Sequence, residues 1–510
     1  MCTWPCSTTE AFRITSWSRR SRSTANRSFR ISSDAQRPKR FEPGELPMTS
    51  TPETQQIDQH AEEWRIRKPE GLLLPKDLLL SAEQSRLSVD RYLLPERLEA
   101  ENQHLWSRVW QVACREESIP EPGDHLRYTI ADQEFLLVRQ RDGDVRAFYN
   151  VCPHRGNLVE RGAGHSEELR CAYHGWCWRL DGRLQEIPDR YLITDATDDD
   201  LGLSEIACDR WAGYVFVNPA GAAAEPLGEY LGGLVPRLEP FHMERQRLVS
   251  WQTTEVACNW KVLIEAFLET FHVPGIHPNL VTLLDEANTV FERLGHHHRM
   301  WIPYGMPSIH FRDTSDRKVY ESFLEQHFRE RHLDQSGLSE PMDPSQWEPQ
   351  FDDQGTIVGD RNAREYLIER QKAEGRVKGY DYSGLGKEQL IDIDHYLFFP
   401  NFVILAKADD TFMIRSRPHP TDPDRSLADV MRLRPLGSAD PPPQVRQQHV
   451  EANNESYLKQ IGEVIYQDFS NVVDVQRGLH ANSLSHLTLS ANDIRIRWLH
   501  DEIDEYLRDV

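Results

Sequence analysis

The decisive stretch runs from Cys152 to Trp176 and reads CPHRGNLVERGAGHSEELRCAYHGW. Within it, Cys152-x-His154 and Cys171-x-x-His174 are separated by sixteen residues. Two thiolates and two imidazoles on two short loops suit an asymmetric [2Fe–2S] cluster, with both cysteines on one iron and both histidines on the other. Replacing thiolate by neutral imidazole removes negative charge and lifts the reduction potential to about −150 to +300 mV. A structural zinc site uses the same donor types and is the competing reading. Two details weigh against zinc. Each loop mixes one Cys with one His, where zinc fingers group like ligands. Glycines also stand just beyond each histidine (Gly156 and Gly175), where backbone amides can approach cluster sulfurs.

Outward from this stretch, short strands are punctuated by turns. EFLLVRQ and VRAFYNVC flank Asp142-Gly143, and CWRL and GRLQEI meet at Asp181-Gly182. Asp-Gly between apolar runs is a strong hairpin signal. GYVFVNP closes a small all-β module predicted over residues 107–220, with both ligand loops at hairpin ends. Before it, residues 48–106 form a helical segment expected to pack on the second domain. Pro95 opens a predicted helix there that runs to Val109, with Leu98, Leu105 and Val109 on one face and Trp106 beside them. Residues 221–510 carry longer helical and mixed segments. They include a polar insertion at about 312–390 with a helix in KVYESFLEQHFRERHL. HYLFFPNFVILA and TFMIRSRP read as buried strands, and NDIRIRWLHDEIDEYL as a C-terminal amphipathic helix capped by Asn492.

With 510 residues the chain has room for two or three cores. An apolar content of 39% and a charged content of 27% describe a soluble globular protein. The longest apolar run, Tyr396 to Ala406, is broken by Pro400 and Asn401, so no membrane span is expected. A net charge of −22 disfavours nucleic acid and suits docking of a basic partner. Eight cysteines do not form a disulfide framework; Cys114, Cys177, Cys208 and Cys258 read as buried thiols in a reducing cytoplasm. Residues 1–47, rich in Ser and Arg, hold nine Lys/Arg against four Asp/Glu. That composition fits a transit peptide or a disordered or mis-started extension before Met48, and the second reading is preferred.

The second informative stretch, NWKVLIEAFLETFHVPGIHP from Asn259, presents Glu265, Glu269, His272 and His277. Helical spacing predicts Glu265, Glu269 and His272 on one face at i, i+4 and i+7. Val273-Pro274-Gly275 is expected to end that helix, so that His277 returns from a turn. Two histidines and a carboxylate compose the facial triad of non-haem Fe(II) oxygenases. The third ligand must come from elsewhere; Asp468 in QDFSNVVDVQRGL is the candidate and Asp474 the rival, with a plain surface carboxylate the alternative for either.

Taken together, the Cys-x-His/Cys-x-x-His loops and this second stretch resemble the α subunits of Rieske non-haem iron oxygenases, the aromatic-ring-hydroxylating dioxygenase family. The likeness runs from about residue 90 to the C-terminus. It rests on Asn259-Trp260-Lys261, the acids, Phe271, His272 and His277, and on Asp468 with Gln476-Arg477-Gly478 eight residues later. The resemblance implies an α+β protein: an N-terminal all-β Rieske [2Fe–2S] domain and a C-terminal helix-grip catalytic domain, an antiparallel sheet around a long helix. It implies the cluster on Cys152, His154, Cys171 and His174, and mononuclear Fe(II) on His272, His277 and Asp468. It also implies that Glu269 bridges His272 to His174 of a neighbouring subunit in a head-to-tail trimer. Phe267 matches a position near the substrate pocket, although an aromatic on a buried helix is ordinarily core. Tyr304 and His310 are further candidates to line that pocket, and Tyr173 and Trp176 to shield the cluster. The bridging acid is Glu where many ring dioxygenases have Asp, as in enzymes acting on quaternary ammonium compounds. Ala266 stands where ring dioxygenases often have Asn.

The implied activity is that of a terminal oxygenase, using O₂ to dihydroxylate or monooxygenate an aromatic or polycyclic small molecule. Oxidative N- or O-demethylation, including of quaternary ammonium compounds, is the alternative; a Rieske electron carrier without oxygenase activity is the rival of another class. Gly162 and Gly164 lack the third glycine and the strand-turn-helix setting of a dinucleotide site. NAD(P)H should therefore act only through a separate reductase, with or without a ferredoxin, and a β subunit is left open. His296-His297-His298 is not expected to bind a metal, since strand alternation points His297 away from its neighbours.

Overall fold

Hairpins form where the two Asp-Gly pairs predict them. The computed structural model describes residues 73–308, 315–330, 348–435, 445–450 and 461–508. The extension 1–47, His310 and most of GLSEPMDPSQWEP lie outside the described residues.

After a short strand β1 (Arg86–Ser88), the chain enters an antiparallel sheet. It contains β2 (Gln111–Arg115), β3 (Asp124–Ile130), β4 (Gln133–Arg139), β5 (Val145–Tyr149) and β6 (Gly164–His165). A separate three-stranded sheet, β7 (Leu169–Arg170), β8 (Cys177–Trp178) and β9 (Leu184–Glu186), carries the second ligand loop. Strands β10 (Glu205–Trp211) and β11 (Tyr214–Asn218) complete the larger sheet in the order β2-β11-β10-β5-β4-β3-β6. Asp142-Gly143 joins β4 to β5, and Asp181-Gly182 joins β8 to β9.

The second large sheet takes β12 (Gln246–Val256), β13 (Val290–Leu294), β14 (His297–Ile302), β15 (Ile393–Phe398) and β16 (Phe402–Ala406). It continues with β17 (Thr411–Pro418), β18 (Ser426–Pro435) and β19 (Gln448–His449), ordered β13-β14-β15-β16-β17-β18-β12-β19. Neighbours are antiparallel except the short β19 beside β12. Every residue of β14 and β15 is buried, including the polar His297, His298, Arg299, Asp394 and His395, and Arg299 pairs with Asp394 at 2.6 Å between the two strands. The last strand, β20 (His486–Thr488), returns to pair with β1. Helix Trp260–Glu265 lies on β17 and β18 and against helix Glu463–Leu479. The mixed architecture, sheet module first and helix-backed sheet second, is the α+β arrangement expected.

Residues ahead of the first sheet pack on helices of the second half. Helix Pro95–Ala100 widens into a turn of i→i+5 bonding, in which Trp106 N–H donates to Glu101 O at 3.0 Å. The predicted regular helix to Val109 is interrupted there because Glu101 turns inward. Its carboxylate, fully buried, accepts from Lys261 Nζ at 2.7 Å and Trp260 Nε1 at 2.8 Å. Arg91 and Arg97 clamp Asp504 of helix Ile494–Leu507. Asn492 does not cap that helix. Its N-cap is Asp493, and the capping bonds belong to the 3₁₀ turn Ala491–Asp493 that leads into it, where the Ser490 hydroxyl accepts from Asn492 N–H while Asp493 reaches back to Ser490 N–H at 2.7 Å.

The two halves share one continuous apolar core, in which Tyr214 and Phe216 meet Phe398, Phe402 and Met413. Beside it lies a buried charge cluster. Asp429 on β18 accepts from Arg415 Nε at 2.8 Å, Arg417 Nε at 2.9 Å and Thr253 Oγ1 at 2.5 Å. Arg415 reaches across to the carbonyls of Val112 and Ala113 on β2, and Arg417 to that of Thr129 on β3. Burial alone would raise the Asp429 carboxyl, but the two guanidiniums hold it well below the carboxylate range.

Candidate metal centres and their cavity

The two ligand loops near Cys152 and Cys171 are built alike. Gly156 N–H donates to Cys152 O at 2.9 Å and Gly175 N–H to Cys171 O at 3.0 Å. These glycines adopt φ of +74° and +76°, the left-handed geometry that only glycine takes at little cost. Cys152 and Cys171 are buried at 2% and 1% exposure, whereas His154 and His174 sit at the surface. The imidazoles approach to a ring separation of 4.5 Å. Burial pushes the Cys171 thiol up, but the N–H groups of Tyr173 and His174 and the Asn157 amide bring it below its ordinary value. A sulfur so surrounded by donors is prepared to be a thiolate ligand. Trp176, buried, stacks on His154 at 4.9 Å; Tyr173 leans on His174 at 3.8 Å yet stays half exposed to solvent. The thiols of Cys114, Cys177 and Cys258 are buried as predicted; Cys208 is only partly so.

Helix Trp260–Glu265 is shorter than spacing predicts. Its N-terminus is fixed by Asn259, whose side chain caps Lys261 N–H at 3.0 Å and donates to Tyr92 O at 2.9 Å. Its last residue, Glu265, turns away from Glu269 and His272. It accepts from Tyr92 OH at 2.9 Å and contacts His500 Nε2 at 2.7 Å. Burial lifts that carboxyl to about 8. The expected single face of Glu265, Glu269 and His272 is therefore corrected: the chain leaves helical geometry after Glu265. Val273–Ile276 forms a helical turn of its own instead of ending one, with Pro274 inside its first turn.

This path brings His272 and His277 onto Asp468. His277 Nε2 lies 2.9 Å and His272 Nε2 3.6 Å from Asp468 Oδ1, and the three ligand atoms fall within 4.8 Å of one another. Asp468 rides on helix Glu463–Leu479 and is 4% exposed. Gln476 on the same helix accepts from Asn259 N–H at 3.0 Å, which joins the two stretches the sequence singled out. The rival Asp474 is at the surface, paired with Arg477.

The outer nitrogens determine what the site can hold. His272 Nδ1 faces Glu269 Oε1 at 2.6 Å and His277 Nδ1 faces Gln467 Oε1 at 2.8 Å. Both partners are acceptors, so each ring carries its proton on Nδ1 and turns an Nε2 lone pair inward. Two lone pairs and a carboxylate then converge with no donor among them, an arrangement that a divalent cation satisfies. Burial works against protonation of His272, yet the hydrogen bond and charge of Glu269, with Asp468, leave its pKa raised. Gln467 is a functional residue that sequence reading missed; a glutamine beside an acid carries no signal of its own.

These residues open on a cavity of about 350 Å³. Phe267 and Tyr304 line it as expected, with Leu284, Ile302, Leu405 and Phe412 supplying further apolar wall. Polar wall residues not anticipated include Gln326, His395, Lys407, Asp410, Arg432 and Glu463. The His296-His297-His298 run binds three separate partners: His296 meets Glu502, His297 the Tyr230 carbonyl and His298 the Trp498 ring.

Comparison with known proteins agrees with this geometry. Residues 109–194 match the Rieske [2Fe-2S] domain model, and residues 243–509 match the ring hydroxylating alpha subunit (catalytic domain) model. The glycine betaine monooxygenase oxygenase subunit of Pseudomonas aeruginosa is 32% identical over 216 residues, 42% of this chain and 50% of that protein. The large oxygenase component of the 2,4-dinitrotoluene dioxygenase system of Burkholderia sp. is 34% identical over 194 residues, 36% and 43% of the respective chains. The chain spans about half the length of the curated relatives it matches. In fold it resembles a quaternary ammonium Rieske monooxygenase solved with L-carnitine, at a TM-score of 0.57 and 15% identity over 83% of this chain and 97% of that one.

Proposed function

This chain belongs to the ring hydroxylating α-subunit family, a Rieske [2Fe–2S] domain followed by the family's catalytic domain, and we propose that it is the terminal oxygenase component of a multicomponent system. Its substrate would be an aromatic or polycyclic small molecule hydroxylated at the expense of O₂. The observation that carries the reading is the all-acceptor convergence of His272, His277 and Asp468 at the wall of an apolar cavity. Such a triad would hold Fe(II) with open positions, and the bound ion supplies O₂ activation. The protein's own part is to hold both imidazoles in the ligand tautomer, through Glu269 and Gln467, and to keep a mostly apolar space beside the metal. Cys152, His154, Cys171 and His174 would hold the cluster that receives electrons from an NAD(P)H-dependent reductase, directly or through a ferredoxin.

Glu269 is proposed as the link between the centres of two subunits. Its Oε1 accepts from His272 Nδ1–H at 2.6 Å and its Oε2 from the His272 backbone N–H at 3.0 Å, which leaves one further lone pair on each oxygen. In a head-to-tail trimer, the remaining acceptor capacity would meet the surface imidazole of His174 on the neighbouring copy. Oxidative demethylation of a quaternary ammonium compound is the second reading, supported by Glu269 in the bridging position and by the glycine betaine monooxygenase relative.

Iron analysis separates these readings from a bare electron carrier: about three irons per chain are expected, against about two for a cluster alone. Substrate-dependent O₂ uptake, with a generic reductase supplied and both aromatic and methylammonium compounds screened, then tests the activity itself. A colourless protein with zinc in place of iron overturns the reading.

A further inference from the structure

A second concavity lies at the seam of the two large sheets and shares no lining residue with the cavity beside the metal triad. It is a cleft of about 640 Å³, lined by residues of β3, β12, β17 and β18 and of segments 161–165 and 445–449. Arg127, Arg161, Arg415, Arg417 and Arg446 line it, against the single carboxylate of Asp124. In a chain of net charge −22 such a gathering of cations is the exception. Glu134 neutralises Arg127, with both carboxylate oxygens 2.5 Å from the guanidinium. Arg415 and Arg417, buried at 1% and 5% exposure, share Asp429, so one buried guanidinium charge is unbalanced. Arg161 and Arg446 are exposed and form no ion pair among the described residues. Five guanidiniums less the two matched by Glu134 and Asp429 leave three. Asp124 and Glu160 are the other acids near them, and each already faces an imidazole, Asp124 that of His165 at 2.9 Å and Glu160 that of His125 at 3.6 Å.

The wall Arg161-Gly162-Ala163-Gly164-His165, whose two glycines fail as a dinucleotide fingerprint, adds neutral donors. Arg127 donates to the carbonyls of Arg161 and Gly162, at 3.4 and 3.3 Å. A trans peptide sets N–H opposite C=O. The N–H groups of Gly162 and Ala163 therefore turn away from Arg127, and neither has a protein acceptor among the described residues. A Cβ at Gly162 would meet nothing within 4 Å, whereas one at Gly164 would come within 2.8 Å of His125 Nε2. Glycine leaves the first position open and lets the His125 ring reach the wall at the second.

We propose that this cleft binds a small dianionic oxyanion, a phosphate or a dicarboxylate, between Arg161 of the Rieske domain and Arg446 of the catalytic domain, with the N–H groups of Gly162 and Ala163 as further donors. A guanidinium fork matches two oxygens of such a group at once. The concave shape favours a small molecule over an acidic protein surface, since small-molecule sites occupy about 300–1,000 Å³. The site is independent of the oxygenase reading and reaches beyond it.

Calorimetric titration of the full iron-loaded protein, at an ionic strength of about 0.15 M, uses inorganic phosphate, AMP and succinate. At least one is expected to bind at a single site per chain. Its affinity should fall about tenfold or more in Arg161→Gln and likewise in Arg446→Gln, the range of a charge-assisted hydrogen bond. Phosphate binding as tightly as AMP identifies the free oxyanion as the ligand; AMP binding more tightly identifies an organic phosphate, and succinate alone a dicarboxylate. Arg179→Gln, at an exposed arginine that does not line the cleft, should leave the affinity unchanged. Both cleft arginines are exposed, so their variants should keep the parent unfolding transition. No binding by any of the three anions, binding indifferent to both cleft variants, or an equal loss in Arg179→Gln overturns the proposal. An acidic ferredoxin that binds at these arginines while none of the three anions does makes the cleft a protein-docking face, and overturns it as well.

Discussion

Replacing Gln467 by Leu tests whether the outer hydrogen bonds set the metal site. In the parent protein, Gln467 Oε1 accepts from His277 Nδ1 at 2.8 Å, and His277 is 3% exposed. Leucine keeps the volume but removes the acceptor, so the ligand tautomer would bury an unsatisfied N–H at a cost of about 1–3 kcal/mol. The ring has an escape: it can move its proton to Nε2 and donate to Asp468 Oδ1, which already lies 2.9 Å away. That tautomer cannot ligate. At about 1.4 kcal/mol per factor of ten, Fe(II) affinity should fall about 5- to 150-fold, in line with the roughly 10–100-fold lost when outer partners are removed at other metal sites. Anaerobic competition with a colorimetric ferrous chelator measures this, with the visible absorbance of the [2Fe–2S] cluster as an internal reference that should not change. Gln467→Glu, which keeps an acceptor, should retain the iron. Unchanged Fe(II) affinity in Gln467→Leu would refute the tautomer argument.

Glu269→Gln should retain cluster and mononuclear iron by metal analysis yet lose most turnover; parent-level O₂ uptake would remove Glu269 from the electron path. Asp429→Ala leaves Arg415 and Arg417 buried without their counter-charge and should cost about 3–5 kcal/mol in denaturant unfolding. Because the Asp429 pKa is depressed in the folded state, its stabilisation is fully present above the unfolded carboxylate value of about 3.9 and is lost only as pH falls below it. The stability gap between parent and variant should accordingly be flat from pH 7 to about 5. Gly175→Ala forces a non-glycine residue to φ of +76° and should cost about 1 kcal/mol or more, read as faster bleaching of the cluster chromophore under mild denaturant.

Local chemistry was readable from the chain; long-range packing was not. The cluster loops declare themselves because each is a five-residue turn whose ligands and glycine lie side by side in sequence. Asp468 was found for a related reason: Gln476, two helical turns further on, is the residue that fastens this helix to Asn259. Periodicity failed at Glu265. A helical repeat carries no information about Tyr92 and His500, which lie 173 and 235 residues away in sequence and capture that carboxyl. Gln467 was missed for the same reason, since its role exists only relative to His277. Asn492 was a reasonable cap by residue type, but it falls inside a 3₁₀ turn closed by Ser490 and Asp493, so the helix starts one residue later than its sequence suggested.

The Arg415–Asp429–Arg417 knot at the seam of the two sheets bears on protein engineering. A Rieske module that shares its apolar interior and its guanidinium grips with the catalytic-domain half is not an interchangeable cassette. Chimaeras that splice a foreign iron–sulfur unit onto this chain near residue 220 would inherit arginines reaching for carbonyls at positions 112, 113 and 129. Only donors whose backbone offers acceptors at those places should yield a single cooperative unfolding transition.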